Sequence, residues 1–243
     1  MTTLRFLGCG DAFGSGGRFN TCFLIRDGAV GALIDCGASS LIAMRKFGVD
    51  PNGIGTILIT HLHGDHFGGL PFLLLDAQLV SRRRALLMIA GPPGLEKRLH
   101  EAMELFFPGS TGIPRKYDLQ VIELEAGARR IFGPVAVTPF LVKHPCGARP
   151  FALRVELGGK TVAYTGDTEW VDTLIPAAQG ADLLIAEAYF DDKPIRFHLN
   201  HATVLANRDR LGAKRIVLTH MSPEMLVREV AFEAAEDGLE IVV

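Results

Sequence analysis

The chain has 243 residues, of which 48% are hydrophobic, so it can bury a sizeable core. Its formal net charge of −2 gives no general polyanion-binding signal, and no apolar run approaches transmembrane length. The N-terminus shows no leader pattern, and the four scattered cysteines form no CxxC pair. We therefore expect a cytoplasmic protein without membrane contact, in which Cys9, Cys22, Cys36 and Cys146 are reduced thiols.

The first half of the chain is predicted to alternate strands with helices. Strands are expected at residues 4–7, 21–25, 32–35, 56–60 and 85–90, and helices at 39–47, 66–81 and 95–106. The glycine-rich segment 8–17 lacks the lysine of a P-loop and opens no helix, so it is predicted to be a tight loop near the mouth of a site. The three arginines at 82–84 are expected to form a solvated helix end.

The second half is predicted to begin with strands and to end in alternating helices and strands. Strands are expected at residues 121–124, 135–142, 151–157, 161–165, 183–186 and 215–218, and helices at 170–179, 202–211 and 223–236. No low-complexity linker interrupts the chain. These patterns predict one domain over residues 1–243, an α/β fold in which two sheets pack face to face with helices on both outer faces.

The segment HLHGDH at residues 61–66 places three imidazoles and a carboxylate on one predicted strand-to-helix loop. Imidazole is the commonest protein metal ligand near neutral pH, and a carboxylate adds a harder oxygen donor. His61 and His63 are two residues apart and can point to one side of extended backbone, whereas Asp65 and His66 follow the bend. This layout predicts two metals side by side.

Three more candidate ligands each follow a predicted strand: His144, Asp167 and His220. The motifs HLHGDH, His144, TGDT at 165–168 and THMS at 219–222 resemble, in order, the signature motifs of the metallo-β-lactamase-fold superfamily. The resemblance implies a four-layer αββα sandwich with two mixed β-sheets. It also implies a dinuclear site in which His61, His63 and His144 hold one metal, Asp65, His66 and His220 hold the other, and Asp167 bridges them. Zinc is preferred for this imidazole-rich set, with manganese and iron as alternatives.

The segment HLNHAT at 198–203 resembles the phosphodiesterase branch of that superfamily, which includes ribonuclease Z and the small cyclic-phosphate diesterases. The resemblance implies that His201 lies beside the metals and binds the phosphate or protonates the leaving oxygen. Asp65 is expected to orient a metal-bridging hydroxide that attacks phosphorus. Glu187 is a candidate to orient a ligand histidine, and His198 is a weaker candidate for the surroundings of the site.

The predicted function is metal-dependent hydrolysis of a small phosphodiester, such as a cyclic nucleotide or cyclic phosphate. A ribonuclease Z-like activity on tRNA 3′ ends is an alternative. However, only 22 residues separate His144 from Asp167, where tRNA-processing relatives carry a long arm, so a large RNA substrate is not expected. The same ligand set is also compatible with a lactonase or thioesterase activity, or with a catalytically silent metal-stabilised binding module. The resemblance also suggests a homodimer.

Overall fold

Two seven-stranded β-sheets pack face to face in the computed structural model, which describes all residues 1–243. The first sheet has the spatial order β14-β1-β2-β3-β4-β5-β6. Its strands are β1 (Thr2–Gly8), β2 (Cys22–Asp27), β3 (Val30–Ile34), β4 (Ile54–Leu58), β5 (Leu87–Gly91), β6 (Leu119–Glu123) and β14 (Glu240–Val242). Strands β3 to β6 are parallel to one another, whereas β1 pairs antiparallel with both of its neighbours.

The second sheet repeats this plan, with antiparallel strands at one side and parallel strands at the other. It has the order β13-β12-β11-β10-β9-β8-β7. Its strands are β7 (Arg130–Phe132), β8 (Val135–Leu141), β9 (Phe151–Leu157), β10 (Lys160–Tyr164), β11 (Leu183–Glu187), β12 (Ile216–Thr219) and β13 (Glu233–Ala234). The short edge strands β7, β13 and β14 were not predicted, because two or three residues carry no readable periodicity.

Helices cover both outer faces. The first sheet carries α1 (Ser40–Lys46), α2 (Gly64–Phe67), α3 (Leu70–Leu79) and α4 (Leu95–Phe106), and the second carries α5 (Leu174–Ala178), α6 (His201–Ala206) and α7 (Arg208–Leu211). One apolar core lies between the sheets, around Phe6, Phe23 and Tyr164. A further apolar core lies between the first sheet and its helices, and another lies between the second sheet and its helices. The predicted αββα sandwich is therefore confirmed, and no helix has the length and apolar character needed to span a membrane.

The helix predicted at 66–81 is divided in two at Gly68 and Gly69. At the division the Gly69 N–H donates to the Cys36 carbonyl at 2.8 Å instead of continuing the helix, and a Cβ on Gly69 would lie 2.2 Å from the carbonyl oxygen of Gly37. The glycine lets the backbone that follows the HLHGDH loop press against the loop that follows β3. A continuous helix with a side chain at this position would push the two loops apart.

The prediction of a helix at 223–236 is wrong. This segment holds only a short 3₁₀ turn, Met225–Val227, before β13 pairs in parallel with β12. Tertiary contacts outweigh helix propensity here. The Arg215 side chain forms two hydrogen bonds with Glu233, and Arg18 donates to the carbonyl of Ala235 at 2.7 Å.

The three arginines at 82–84 do not form a solvated helix end. Arg82 and Arg84 are exposed, but Arg83 is only 3% exposed and α3 has already ended at Leu79. The Arg83 guanidinium donates to four backbone carbonyls, those of Pro51, Ile54, Ala85 and Leu86. Its role is therefore to hold together the loops around the start of β4.

Candidate active site

The seven predicted ligands all follow the carboxyl ends of strands, at one edge of the two sheets. The HLHGDH segment follows β4, His144 follows β8, Asp167 follows β10 and His220 follows β12. Parallel strands bring their carboxyl ends to one edge, so loops far apart in sequence meet there. The seven residues predicted as ligands are brought together in this way.

Three of these histidines form a first cluster. The ring centroids of His61, His63 and His144 lie 4.8 to 4.9 Å from one another. The closest approach joins His63 Nδ1 to His144 Nε2 at 3.0 Å. One ligand atom from each ring lies within 4.8 Å of the others, which is a spacing that could hold one metal ion.

Asp65, His66, Asp167 and His220 form a second cluster, in which His66, Asp167 and His220 are buried and Asp65 is partly exposed to the cleft. His66 Nε2 lies 3.3 Å from both Asp65 Oδ2 and Asp167 Oδ1. His220 Nε2 lies 3.2 Å from Asp65 Oδ2 and 3.4 Å from Asp167 Oδ2. Asp167 also approaches the first cluster, because its Oδ2 is 3.9 Å from His61 Nε2. It therefore lies between the two clusters.

The buried ligand atoms fit a metal better than they fit one another. His61 Nε2, His66 Nε2 and Asp167 Oδ1 are buried without any hydrogen-bond partner. An unpaired buried polar atom is costly, and a bound cation would satisfy all three. Imidazole nitrogen and carboxylate oxygen are ordinary donors to a divalent metal.

The electrostatics of the two clusters differ. Burial lowers the pKa of His61 well below its ordinary value, so this ring is a neutral ligand. Burial alone would also lower the pKa of His66, but the carboxylates of Asp167 and Asp65 raise it well above the ordinary value. The pKa of His220 is raised in the same way, against the effect of burial, chiefly by Asp167. Metal binding to the second cluster would therefore displace protons.

Asp35 is a site residue that the sequence interpretation missed. Its carboxylate, fully buried, accepts hydrogen bonds from the Thr60 backbone N–H at 2.7 Å and the Thr60 hydroxyl at 2.8 Å. It also pairs with His66 Nδ1 at 2.7 Å, while the Thr60 hydroxyl lies 3.0 Å from His61 Nδ1. Asp35 thus orients rings of both clusters. The only sequence signal was an acidic residue directly after a buried strand.

Glu187 is the last residue of β11, is fully buried, and forms hydrogen bonds with two loops of the site. It accepts hydrogen bonds from the backbone N–H groups of Thr168 and Leu199, and its Oε1 lies 3.4 Å from His220 Nδ1. The same oxygen makes a short contact with His198 Nδ1. Glu187 thereby connects the turn that carries Asp167 to the loop that carries His198.

His198 lies in the cleft above the metal-ligand clusters. Its ring stacks at 6.0 Å on that of His220 and lies 4.9 Å from that of His144. Burial would lower the pKa of His198, but the hydrogen bond to Glu187 raises it. His198 also belongs to a third group that could hold a metal, together with Asp167, Glu187 and His220.

His201, in contrast, is turned away from the cleft. Its Nδ1 lies 2.8 Å from Asp191 Oδ1, and its Nε2 accepts the backbone N–H of Ala231 at 3.2 Å. The ring, 7% exposed, packs edge-on against Phe232 and does not line the cleft. The sequence interpretation placed His201 beside the metals. In the structure, His201 does not lie beside the ligand clusters. His201 joins the segment after β11 to the segment before β13.

The cleft over the two clusters has a volume of about 310 Å³. Its floor is formed by five of the predicted ligands together with His198. Its walls come from the glycine-rich loop, through Asp11, Ala12 and Phe13, and from Tyr189 and Ile195. The glycine-rich loop thus lies at the mouth of the site, as predicted.

Comparisons with known proteins agree with this architecture. Residues 32–221 match the family model described as a beta-lactamase superfamily domain. Ribonuclease Z of Methanothermobacter thermautotrophicus is 29% identical over 287 aligned positions, which cover 97% of this chain and 91% of that protein. Ribonuclease Z of Ignicoccus hospitalis is 28% identical, with 79% of each chain covered.

Solved structures give the same picture. The short form of human tRNase Z superposes with a TM-score of 0.79 at 27% identity, over 99% of this chain and 98% of that one. The metallo-beta-lactamase fold protein YhfI of Bacillus subtilis gives a TM-score of 0.78 at 22% identity, with both chains fully covered. Because the family model spans more than half of the sequence, this chain belongs to the beta-lactamase superfamily domain family, and it is a metallo-β-lactamase-fold hydrolase.

Proposed function

We propose that the chain is a phosphodiesterase that uses two divalent metals to cleave a small diester. The observation that carries this proposal is the pair of ligand clusters that share Asp167 at the floor of one cleft. Two metals side by side are suited to phosphoryl chemistry, because they can bind both non-bridging oxygens of one phosphate. A volume near 310 Å³ lies at the small end of ligand sites, which span roughly 300–1,000 Å³.

In this proposal His61, His63 and His144 would hold one ion, Asp65, His66 and His220 would hold the other, and Asp167 is placed to serve both clusters. We propose zinc because imidazole supplies most of the donors, with manganese and iron as alternatives. Bound ions of this kind lower the pKa of a coordinated water and offset the negative charge on phosphoryl oxygens.

The residues around the clusters have separate tasks. Asp65, whose pKa is held below its ordinary value against burial by His66 and His220, stays ionised and orients the attacking water. His198 takes the task that the sequence interpretation gave to His201, which is to donate a hydrogen bond to the phosphate or a proton to the leaving oxygen. Its support is positional: His198 lines the cleft and is held by buried Glu187, while both ring nitrogens of His201 are engaged elsewhere.

Cleavage at the 3′ end of tRNA is the second candidate. Its support is that relatives covered over almost the whole of this chain are named ribonuclease Z or tRNase Z, which weakens the expectation that RNA is excluded. A second groove, lined by Lys97 and Arg98, also reaches Leu62, between two of the ligand histidines. Both basic side chains pair with Glu101 in the same groove, and released from it they could hold the phosphates of a longer strand.

The experiment that tests the proposal is turnover by the metal-loaded protein on a panel of substrates. The panel contains bis(p-nitrophenyl) phosphate, cyclic nucleotides, a cyclic ribose phosphate, a tRNA precursor, a lactone and a thioester. We expect turnover of the small diesters that disappears after chelation. Turnover of the tRNA precursor alone would favour the second candidate, and turnover of the carboxylic esters alone would refute both.

A further inference from the structure

Phe13 is an exposed aromatic ring at the mouth of the metal cleft. Its side chain is 83% exposed, and it lines the cleft together with Tyr189 and Ile195. Single exposed apolar residues are ordinary on an outer surface. At the mouth of a cleft lined by candidate metal ligands, however, an exposed aromatic ring can pack against an apolar part of a bound substrate.

The loop holds Phe13 in place although the ring itself packs against little. The buried carboxylate of Asp11 accepts the backbone N–H groups of Phe13 at 3.1 Å and of Ser15 at 2.9 Å. It also accepts the Ser15 hydroxyl at 2.6 Å, and Asn20 donates to the Asp11 carbonyl. The ring is therefore presented on a fixed backbone, which lowers the entropic cost of ordering it around a ligand.

A substrate for this site combines a phosphate with a flat, apolar group. The ligand clusters at the floor are suited to the phosphate, and the face of Phe13 is suited to a planar ring. Nucleobases are the planar groups attached to natural phosphodiesters, and they stack on aromatic side chains whatever their sequence. We propose that Phe13 is the stacking platform for the nucleobase of the substrate, an inference that rests on the proposed phosphodiesterase function and narrows its substrate class to nucleotides.

The first test compares two diesters that share one leaving group, thymidine 5′-(p-nitrophenyl phosphate) and methyl p-nitrophenyl phosphate. We expect Phe13→Ala to lower kcat/KM about 5- to 100-fold on the nucleoside diester and less than about twofold on the methyl diester. Phe13→Trp should restore activity on the nucleoside diester. Leu105→Ala is the matched control, because Leu105 is 75% exposed on α4 and does not line the cleft. Equal losses on both diesters, or no loss on either, would overturn the inference.

A binding measurement keeps the inference testable if no diester is turned over, in which case the proposed function itself fails. The Trp fluorescence of Phe13→Trp is followed while thymidine 5′-monophosphate, ribose 5-phosphate or inorganic phosphate is added, with the wild-type protein reporting Trp170 alone. Quenching by the nucleotide, absent with the two base-free phosphates and absent in the wild type, supports stacking at this position. Equal responses to all three phosphates, or no response, would overturn it.

Discussion

Replacing Asp35 with asparagine tests whether the metal site depends on a residue that touches no metal. Asp35 offers acceptors to three groups: the Thr60 N–H, the Thr60 hydroxyl and His66 Nδ1. Asparagine keeps the shape of the side chain but loses its charge and turns one acceptor into an NH₂ donor. If that donor faces His66, the ring must move its proton from Nδ1 to Nε2, which is the atom aimed at Asp65 and Asp167. A protonated nitrogen cannot bind a metal.

Loss of such a partner typically weakens metal affinity 10- to 100-fold, or about 1.4–2.7 kcal/mol. In Asp35→Asn we expect a loss of this size for the metal of the second cluster, whose His66 pairs directly with Asp35. The loss for the metal of the first cluster should be smaller, because Asp35 reaches His61 only through the Thr60 hydroxyl. The assay is competition with a chromogenic chelator, with metal content per chain measured by mass spectrometry.

Asp76→Asn is the matched control for this substitution. Asp76 is a buried carboxylate on α3, paired with Arg45 at 2.6 Å and absent from both ligand clusters. Its substitution should lower the free energy of unfolding and leave metal affinity within about twofold of wild type. A folded Asp35→Asn protein with wild-type affinity for both metals would refute the reasoning.

Three further outcomes are expected. Gly166→Ala should lower the free energy of unfolding by about 2–3 kcal/mol in chemical denaturation, because Gly166 has a φ of +60° and a Cβ there would lie 2.6 Å from the carbonyl oxygen of Phe151. It should also weaken metal binding, because Gly166 directly precedes Asp167. Gly159→Ala, at φ +75° with open space around it, should show only the smaller backbone effect, and equal losses would contradict the steric argument. Arg83→Met should lower the free energy of unfolding by about 3 kcal/mol with kcat unchanged, since four carbonyls lose their donor, and an unchanged stability would count against that network. Chelation should abolish turnover and lower Tm by about 8–16 °C, because metal present at about a thousand times its Kd contributes about 4 kcal/mol to the free energy of unfolding. An unchanged Tm would show that the clusters bind no metal.

The ligand clusters could be predicted from the sequence because each ligand follows a readable strand. His61 to His66 follow the apolar run of β4, and His144, Asp167 and His220 each follow another strand, β8, β10 and β12. The first sheet delivers the HLHGDH residues to its edge through β4, and the second delivers the other ligands through β8, β10 and β12. That the two sets meet in one site was what the resemblance to the metallo-β-lactamase-fold superfamily implied.

The cleft histidine could not be predicted in the same way. His198 and His201 are three residues apart, and their positions are decided by partners that are remote in sequence. Glu187 at the end of β11 takes His198, whereas Asp191 and the backbone of Ala231 take His201. The segment 223–236 was misjudged for a related reason, because its helix-favouring composition is outweighed by pairing with β12 and by contacts with Arg18 and Arg215.

The measurement that most directly tests the proposed site compares His198→Ala with His201→Ala on a small phosphodiester, with metal content determined for both proteins. We expect His198→Ala to retain its metals and to lose about 10²- to 10⁴-fold in kcat. We expect His201→Ala, checked for folding by circular dichroism, to stay within about tenfold of wild type, since its ring touches Asp191 and Ala231 rather than the cleft. A larger loss of kcat in folded His201→Ala than in His198→Ala would contradict the role proposed for His198.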